Sequence, residues 1–151
     1  MKPELELLLE IRAELGAPIV VGQAPEGLRR MVPILGGRFE GPRLRGNVLA
    51  GGADWQYVRG DDVTVVEAQY LLRTDDDVLL QVHNRGLRHG PRDVLARLAG
   101  GENVDPSEYY FRATPSISAP AGPYEWLNRN LFVCSGARYA LSVVLWFYRI
   151  T

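Results

Sequence analysis

The sequence of 151 residues predicts a mainly β protein, a single antiparallel β-barrel domain over residues 1–151. We expect about eight strands and one short helix. Many short segments alternate apolar and polar side chains with a period of two, which is typical of strands with one buried face. Glycine and proline separate these segments at regular spacing, as in barrels and sandwiches. Several strands carry large or charged residues on both faces, which favours a barrel that holds a small ligand.

The N-terminal third supplies the first strands. Residues 4–15 alternate leucine with glutamate, and this period of two predicts a strand although the composition favours helix. Residues 19–21 predict a second short strand. Residues 28–35 predict a third, in which Pro33 favours an edge or a bulge. We expect the glycines that flank residues 38–40 to make a tight excursion between strands.

The stretch from residue 46 to 55 reads GNVLAGGADW, and the rest of the chain is interpreted around it. It begins as a strand, breaks at Gly51 and Gly52, and then presents Asp54 beside Trp55. Glycine inside a strand marks a bulge, a bend or a close approach of backbone or ligand. We therefore expect the break to turn side chains toward a cavity.

The C-terminal half adds a hairpin, a helix and three more strands. Residues 75–77 are an acidic turn between two strands. Pro91 and an apolar stripe predict the one helix, over residues 91–99, ended by a glycine pair. The strands are predicted over residues 63–74, 78–85, 108–118, 124–135 and 137–150, with Gly136 joining the last two.

Composition excludes several classes of function. The net charge of −1 gives no positive field for nucleic acid. Cys134 is the only cysteine and cannot form an intramolecular disulfide, which favours a reducing, cytoplasmic location. No signal peptide is recognisable, and the longest apolar run, residues 143–148, is too short to span a bilayer. With two histidines and no cofactor motif, we expect neither a metal nor a cofactor.

Asp54 is the sharpest catalytic candidate. A carboxylate beside the apolar surface of Trp55 would have a raised pKa and could act as a general acid or base. The alternative is structural: Asp54 caps a turn after the glycine pair or pairs with an arginine at the barrel end.

Arg85 and Arg112 are the other catalytic candidates. Sixteen arginines accompany one lysine, which suits carboxylate recognition but also follows from a GC-rich genome. An arginine in mid-strand beside aromatic residues could bind a carboxylate or an enolate oxygen. An internal ion pair with Asp54, Glu67 or Asp105 explains it equally well.

The remaining candidates would line the ligand pocket. They are Trp55, Tyr70, His83, Tyr110, Trp126 and Asn128. Aromatic residues in strands are more often simple core. Which strand faces line the cavity stays open, because a slip of one residue reverses every assignment.

Six motifs resemble the UPF0311 family, also called DUF3237. They are GLRR at residues 27–30, GGRFEGP at 36–42, GNVLAGGADW at 46–55, NRG at 84–86, YYFR at 109–112 and YEWLN at 124–128. The resemblance implies a compact antiparallel barrel, akin to allene oxide cyclase-like or calycin-like barrels, and no general activity. One departure is Asp77, where the family pattern has glycine, and this puts the turn geometry in question.

Two functions remain. In the first, the barrel is a cofactor-free isomerase, cyclase or lyase for a hydrophobic or aromatic carbonyl compound. Asp54 would then move a proton while Arg85 and Arg112 stabilise oxyanion charge. In the second, it is a carrier or sensor of a small hydrophobic or carboxylate ligand.

Self-association is also expected. The segment 139–150 is apolar on both faces, and a barrel strand needs only one face in the core. A homodimer would cover the other face. The alternative is a helix or the N-terminal segment lying across that face.

Overall fold

The computed structural model describes residues 1–151 and contains a closed antiparallel barrel. Its strands are β1 (Leu5–Leu15), β2 (Ile19–Ala24), β3 (Gly27–Glu40), β4 (Arg45–Val48), β5 (Ala53–Val58), β6 (Thr64–Thr74), β7 (Leu79–His89), β8 (Tyr110–Ser118), β9 (Phe132–Arg138) and β10 (Ser142–Ile150). The one α-helix is α1 (Arg92–Ala99), and short 3₁₀ helices cover Pro106–Glu108 and Glu125–Arg129. Strands account for 58% of the chain. The predicted fold class is confirmed.

Eight strand positions close the barrel. The order runs β1, β10, β9, β8, β7, β6, and then β4 and β5 together, which both pair with β6 and β3. The barrel closes because β3 pairs with β1 as well, and β2 extends β3 outside the ring. The β8–β9 seam is the weakest, with only Arg112 opposite Ser135 and Ala113 opposite Cys134.

The core fills the barrel interior, as the alternation predicts. Along β7 from residue 79 to 88, and along β6 from residue 69 to 74, every second side chain is buried and its neighbours are exposed. Leu9, Leu72, Leu80 and Phe147 are fully buried. These four residues and their neighbours form one apolar cluster of 26 residues. The register is therefore fixed by burial, since a slip of one residue would turn the whole set to solvent.

Three predicted strand ends are wrong for one physical reason. β3 continues through Gly36 and Gly37, β7 continues through Gly86, and β9 continues through Gly136. A Cβ at Gly37 would lie 2.1 Å from the Arg12 carbonyl oxygen, and one at Gly86 would lie 2.3 Å from that of Arg112. Glycine at these positions allows two strands to approach closely and does not end them.

The final pair of predicted strands is also corrected. Five of the twelve residues of the predicted first strand form the 3₁₀ helix Glu125–Arg129, whose Leu127 is fully buried. Its second part begins β9 at Phe132, and the turn to β10 falls at residues 139–141 instead of Gly136. Gly136 lies inside β9, and glycine is needed there because a Cβ would be 2.8 Å from the Phe111 ring.

Two predicted turns are confirmed. The chain breaks between β4 and β5 at Gly51, whose φ is +102°. A Cβ at the neighbouring Gly52 would lie 2.5 Å from the Tyr70 Cβ and 2.7 Å from the Gln69 carbonyl oxygen, so glycine lets the backbone pass close to β6. The β6–β7 hairpin turns at Asp77, which has the left-handed φ of +69° that glycine would adopt most easily.

Helix α1 follows β7 at one end of the barrel. Pro91 precedes its first residue and Gly100 follows its last. Val94 is buried and Leu98 packs against the core cluster, so the helix forms a wall at that end. No helix in the structure combines the length and apolar character that crossing a membrane requires.

Candidate functional site

A cleft opens at the barrel end beside α1 and continues into the barrel. The cleft has a volume of about 710 Å³, and its wall includes Leu95 and Leu98 of the helix. An inner cavity of about 50 Å³ lies below it. Gln56, Arg88 and Arg138 line both spaces, so the cleft is the mouth of the inner cavity.

The strand register arranges the polar side chains of this cavity in layers. On the β6–β7 ladder Arg88 is opposite Thr64, near the mouth of the cavity. Asn84 is opposite Ala68, two inward-facing residues further from the mouth along β7. Asp54 of β5 flanks Ala68 on its other side. Since alanine is small, the cavity has room between Asp54 and Asn84. Tyr70 lies one inward position deeper again.

Asp54 is held by two hydrogen bonds. Its Oδ2 accepts from the Gln56 Nε2 at 2.6 Å, and its Oδ1 accepts from the Glu67 backbone N–H at 3.0 Å. The Gln56 Oε1 in turn accepts from the Arg30 Nε at 2.8 Å. This chain fixes the orientation of the carboxylate and connects it to a guanidinium through a neutral amide.

The cavity contains more positively charged side chains than negatively charged ones. Arg30, Arg88 and Arg138 all interact with the charge of Asp54. Burial nevertheless raises the pKa of Asp54, against the opposing effects of the Gln56 hydrogen bond and the arginine charges. Burial, together with repulsion from Arg138 and Arg30, lowers the pKa of Arg88 to about 10. Three guanidiniums thus surround one carboxyl group whose charged form is disfavoured.

Two polar atoms in the deep part of the cavity have no partner in the protein. They are the hydroxyl of Tyr70 and the Oδ1 of Asn84. Both residues are only 5% exposed, and both line the inner cavity. Burial raises the pKa of Tyr70 well above its usual value of 10, so the hydroxyl stays protonated at neutral pH.

Two of the sequence-predicted residues face the cavity. Asp54 and Tyr70 both line it. Trp55 points outward and is 50% exposed, because adjacent strand residues face opposite sides. The structure therefore separates Asp54 from the indole that was expected beside it.

Four other predicted residues lie on the outer barrel face, away from the cavity. They are His83, Arg85, Tyr110 and Arg112. The His83 Nε2 lies 2.9 Å from the Glu67 Oε1, and the Arg112 Nη1 donates to the Phe111 carbonyl oxygen at 2.9 Å. The expected meeting of Arg85 and Arg112 with Asp54 does not occur.

Trp126 and Asn128 lie in the 3₁₀ helix Glu125–Arg129, outside the residues that line either space. The Arg43 guanidinium stacks 3.8 Å from the Trp126 ring centroid. The Asn128 side chain makes two hydrogen bonds with the Ala119 backbone. These contacts hold the loop after β8.

The cavity residues that the sequence interpretation missed are Arg30, Gln56, Asn84, Arg88 and Arg138. A signal was present on β7. Asn84 shares its face with Leu80 and Val82, the apolar side that a barrel interior requires, and Arg88 has the same parity. No group of three or more His, Cys, Asp or Glu side chains converges anywhere in the structure.

The sequence comparisons agree on one family. The model of the family described as "Protein of unknown function (DUF3237)" matches residues 3–150. A UPF0311 protein of Rhodopseudomonas palustris strain TIE-1 is 40% identical over 147 residues, with 96% of each chain covered. A UPF0311 protein of Clostridium acetobutylicum is 35% identical over 147 residues, covering 97% of this chain and 93% of the relative.

Solved structures show the same barrel. A conserved protein of unknown function from Rhodopseudomonas palustris superposes with a TM-score of 0.96 at 38% identity, covering 100% of this chain and 99% of the other. A β-barrel-like protein from Acinetobacter baumannii gives 0.87 at 37%, with coverage of 100% and 98%. An enzyme from Penicillium herquei gives 0.74 at 17%, with coverage of 100% and 96%, which is a likeness of fold alone.

Proposed function

Because the chain belongs to the DUF3237 family, whose description names no function, we propose a function from the cavity itself. The barrel binds a small carbonyl compound that carries an anionic group, and it catalyses proton transfer as a cofactor-free isomerase, cyclase or lyase. One observation carries this proposal: a single carboxyl group of raised pKa lies among three guanidiniums in a cavity open to solvent.

The arginines supply the binding energy for the anionic group. Arg88 is 8% exposed, and it forms no ion pair within 4.0 Å, although the charge of Asp54 acts on it from a longer distance. A buried charge without a partner is costly, so it favours a ligand that brings the opposite charge. A carboxylate suits this role because the planar guanidinium can bind its two oxygens at once.

Asp54 supplies the proton transfer. In its ionised form it takes a proton from the carbon next to the substrate carbonyl. The electron pair of that C–H bond forms a carbon–carbon double bond, and the π electron pair of the carbonyl group moves to its oxygen. The guanidiniums stabilise the resulting enolate. The protonated Asp54 then returns the proton to another atom of the intermediate. A raised pKa makes the ionised Asp54 a stronger base, and Gln56 keeps the carboxyl group oriented.

The variant Asp54→Asn separates an enzyme from a carrier or sensor. A thermal-shift screen of small keto acids and aromatic carbonyl carboxylates supplies the ligand, and proton exchange at its carbon is followed by NMR in deuterium oxide. The enzyme loses about 10²–10⁴-fold in exchange rate in the variant, with ligand affinity nearly kept. Glu67→Gln, which changes an exposed carboxylate on the outer face, serves as the control. Equal exchange rates in Asp54→Asn and wild type contradict the proposal.

We also propose that the protein forms a homodimer through the outer face of β10. Trp146 and Tyr148 point outward there, and Tyr148 pairs with Leu7 of β1, which is 42% exposed. A groove of about 720 Å³ runs beside them, with Leu5, Leu87, Tyr110, Val133 and Tyr148 among its lining residues. Neither expected cover lies over this face, because α1 lines the mouth and β1 pairs edge to edge with β10.

Sedimentation equilibrium at micromolar concentration tests this dimer. Wild type is expected at twice the chain mass of 16.8 kDa. Tyr148→Arg is expected at the mass of one chain, since it places a charge at the centre of the apolar face. A wild-type mass of one chain rules the dimer out.

A further inference from the structure

We infer that the deep end of the cavity is a hydroxyl-binding subsite formed by Tyr70 and Asn84. The ligand class is then a small carboxylate that bears a hydroxyl group at the end opposite its charge. The position of the carboxylate rests on the proposed function, and the hydroxyl subsite rests on separate side chains.

The two side chains offer complementary hydrogen-bonding atoms. The Tyr70 hydroxyl has no acceptor in the protein, and the Asn84 Oδ1 has no donor. Asn84 lies near Cys134, whose thiol donates to the Ser135 carbonyl oxygen and stays protonated because burial raises its pKa to about 12. In the structure the carbonyl oxygen is the unpaired end of the Asn84 amide, and Asn84 lines the inner cavity.

A hydroxyl group fits both atoms at once. Its oxygen accepts from the Tyr70 hydroxyl and its hydrogen is donated to the Asn84 Oδ1. A ketone oxygen can only accept, so it leaves Asn84 without a donor. A methyl group leaves both polar atoms unpaired, and each unpaired buried group costs about 1–3 kcal/mol. The subsite therefore selects alcohols, phenols or enols.

The dimensions restrict the ligand further. Asn84 and Arg88 are four residues apart on β7, which corresponds to about 13 Å along the strand. Their side chains lie on the same inward face of β7. The inner cavity of about 50 Å³ holds only a few non-hydrogen atoms. The hydroxyl end alone enters it, while the body and the carboxylate lie in the wider mouth, where Leu95 and Leu98 supply apolar surface.

Matched ligand pairs test the subsite by isothermal titration calorimetry. The probes are benzoate, phenylacetate and 3-phenylpropanoate, each with and without a 4-hydroxyl group. In at least one pair, wild type binds the hydroxylated member more tightly by about ten-fold or more. A site that hydrogen-bonds a hydroxyl group binds the analogue without it weakly, because its buried polar atoms are then unpaired. Tyr70→Phe reduces this preference to less than about three-fold. Tyr57→Phe, on the outward face of β5, keeps it.

The outcomes separate the two proposals. Arg88→Met weakens both members of a pair by the same factor if the carboxylate lies at the mouth. Binding that depends on Arg88 but shows no hydroxyl preference overturns the subsite and leaves the proposed function standing. A preference that survives Tyr70→Phe also overturns it. Absence of binding by every probe contradicts both proposals. Tyr70→Phe removes only an unpaired hydroxyl, so its melting temperature is expected to equal or exceed that of wild type.

Discussion

Replacing Arg88 by methionine is expected to stabilise the ligand-free protein. The guanidinium is 8% exposed, and its neighbours Arg138 and Arg30 are also positive. Its pKa falls from 12.5 to about 10 on folding. Arg88 is charged in both states at pH 7. The lower pKa in the folded state therefore means that its charged form is less stable there than in the unfolded chain, which reduces the free energy of unfolding. At 1.36 kcal/mol for each pKa unit, this amounts to about 3 kcal/mol.

One favourable contact is lost in the same substitution. The Arg88 guanidinium lies 5.4 Å from the Phe111 ring centroid, and such a cation–π contact contributes about 0.5–1 kcal/mol. Methionine keeps the aliphatic part of the side chain and adapts to irregular space. The net expectation is therefore a gain of about 2 kcal/mol in the free energy of unfolding.

Urea unfolding at pH 7, followed by circular dichroism, measures this gain. Arg85→Met is the matched control, because Arg85 lies on the same strand with its side chain in solvent. The control should change stability by no more than about 0.5 kcal/mol. Carboxylate affinity should move the opposite way in Arg88→Met, with a loss of about 2–5 kcal/mol. A destabilisation of more than about 1 kcal/mol in Arg88→Met would show that Arg88 has a structural partner in the ligand-free protein and is not a binding group without one.

Two further predictions concern pH and register. Because the folded pKa of Asp54 lies above its unfolded value of 3.8, its contribution to stability is present below that value and is lost as pH rises through the folded pKa. Urea unfolding from pH 3.5 to 7 should show wild-type stability falling relative to Asp54→Asn, and a relative rise would be inconsistent with a raised pKa. Leu72→Ala should cost about 2–5 kcal/mol because Leu72 is fully buried. Leu71→Ala, at a side chain 39% exposed, should cost much less, and equal costs would mean that the β6 register is wrong.

The fold was predictable because the local alternation of apolar and polar residues matches the side chains that the barrel interior buries. Period-two alternation in the second half of β6 places Ala68, Tyr70 and Leu72 on one face, and burial on that face fixes the register of β6. The glycine pair at Gly51 and Gly52 correctly marked the break that precedes Asp54. The position of that carboxylate in the cavity thus followed from residues within a short stretch.

Arg88 and Arg138 were missed because two strands were predicted to end too early. Ending the β7 prediction at residue 85 left Arg88 outside any strand, and starting the last strand at residue 137 separated Arg138 from the end of β9. Both errors came from reading Gly86 and Gly136 as ends of strands. Their role is to let a neighbouring strand or ring approach closely, and this depends on partners distant in the sequence. Local pattern carries no record of such partners.

A co-crystal structure with the most tightly bound carboxylate from the matched pairs shows directly whether the anionic group binds at Arg88 in the barrel mouth. We expect electron density for the ligand inside the barrel mouth, with the carboxylate within about 3.2 Å of the Arg88 guanidinium. The ligand body should extend toward Asp54. A ligand bound only in the outer groove beside Tyr110 and Tyr148, with the barrel mouth unchanged, would contradict the claim.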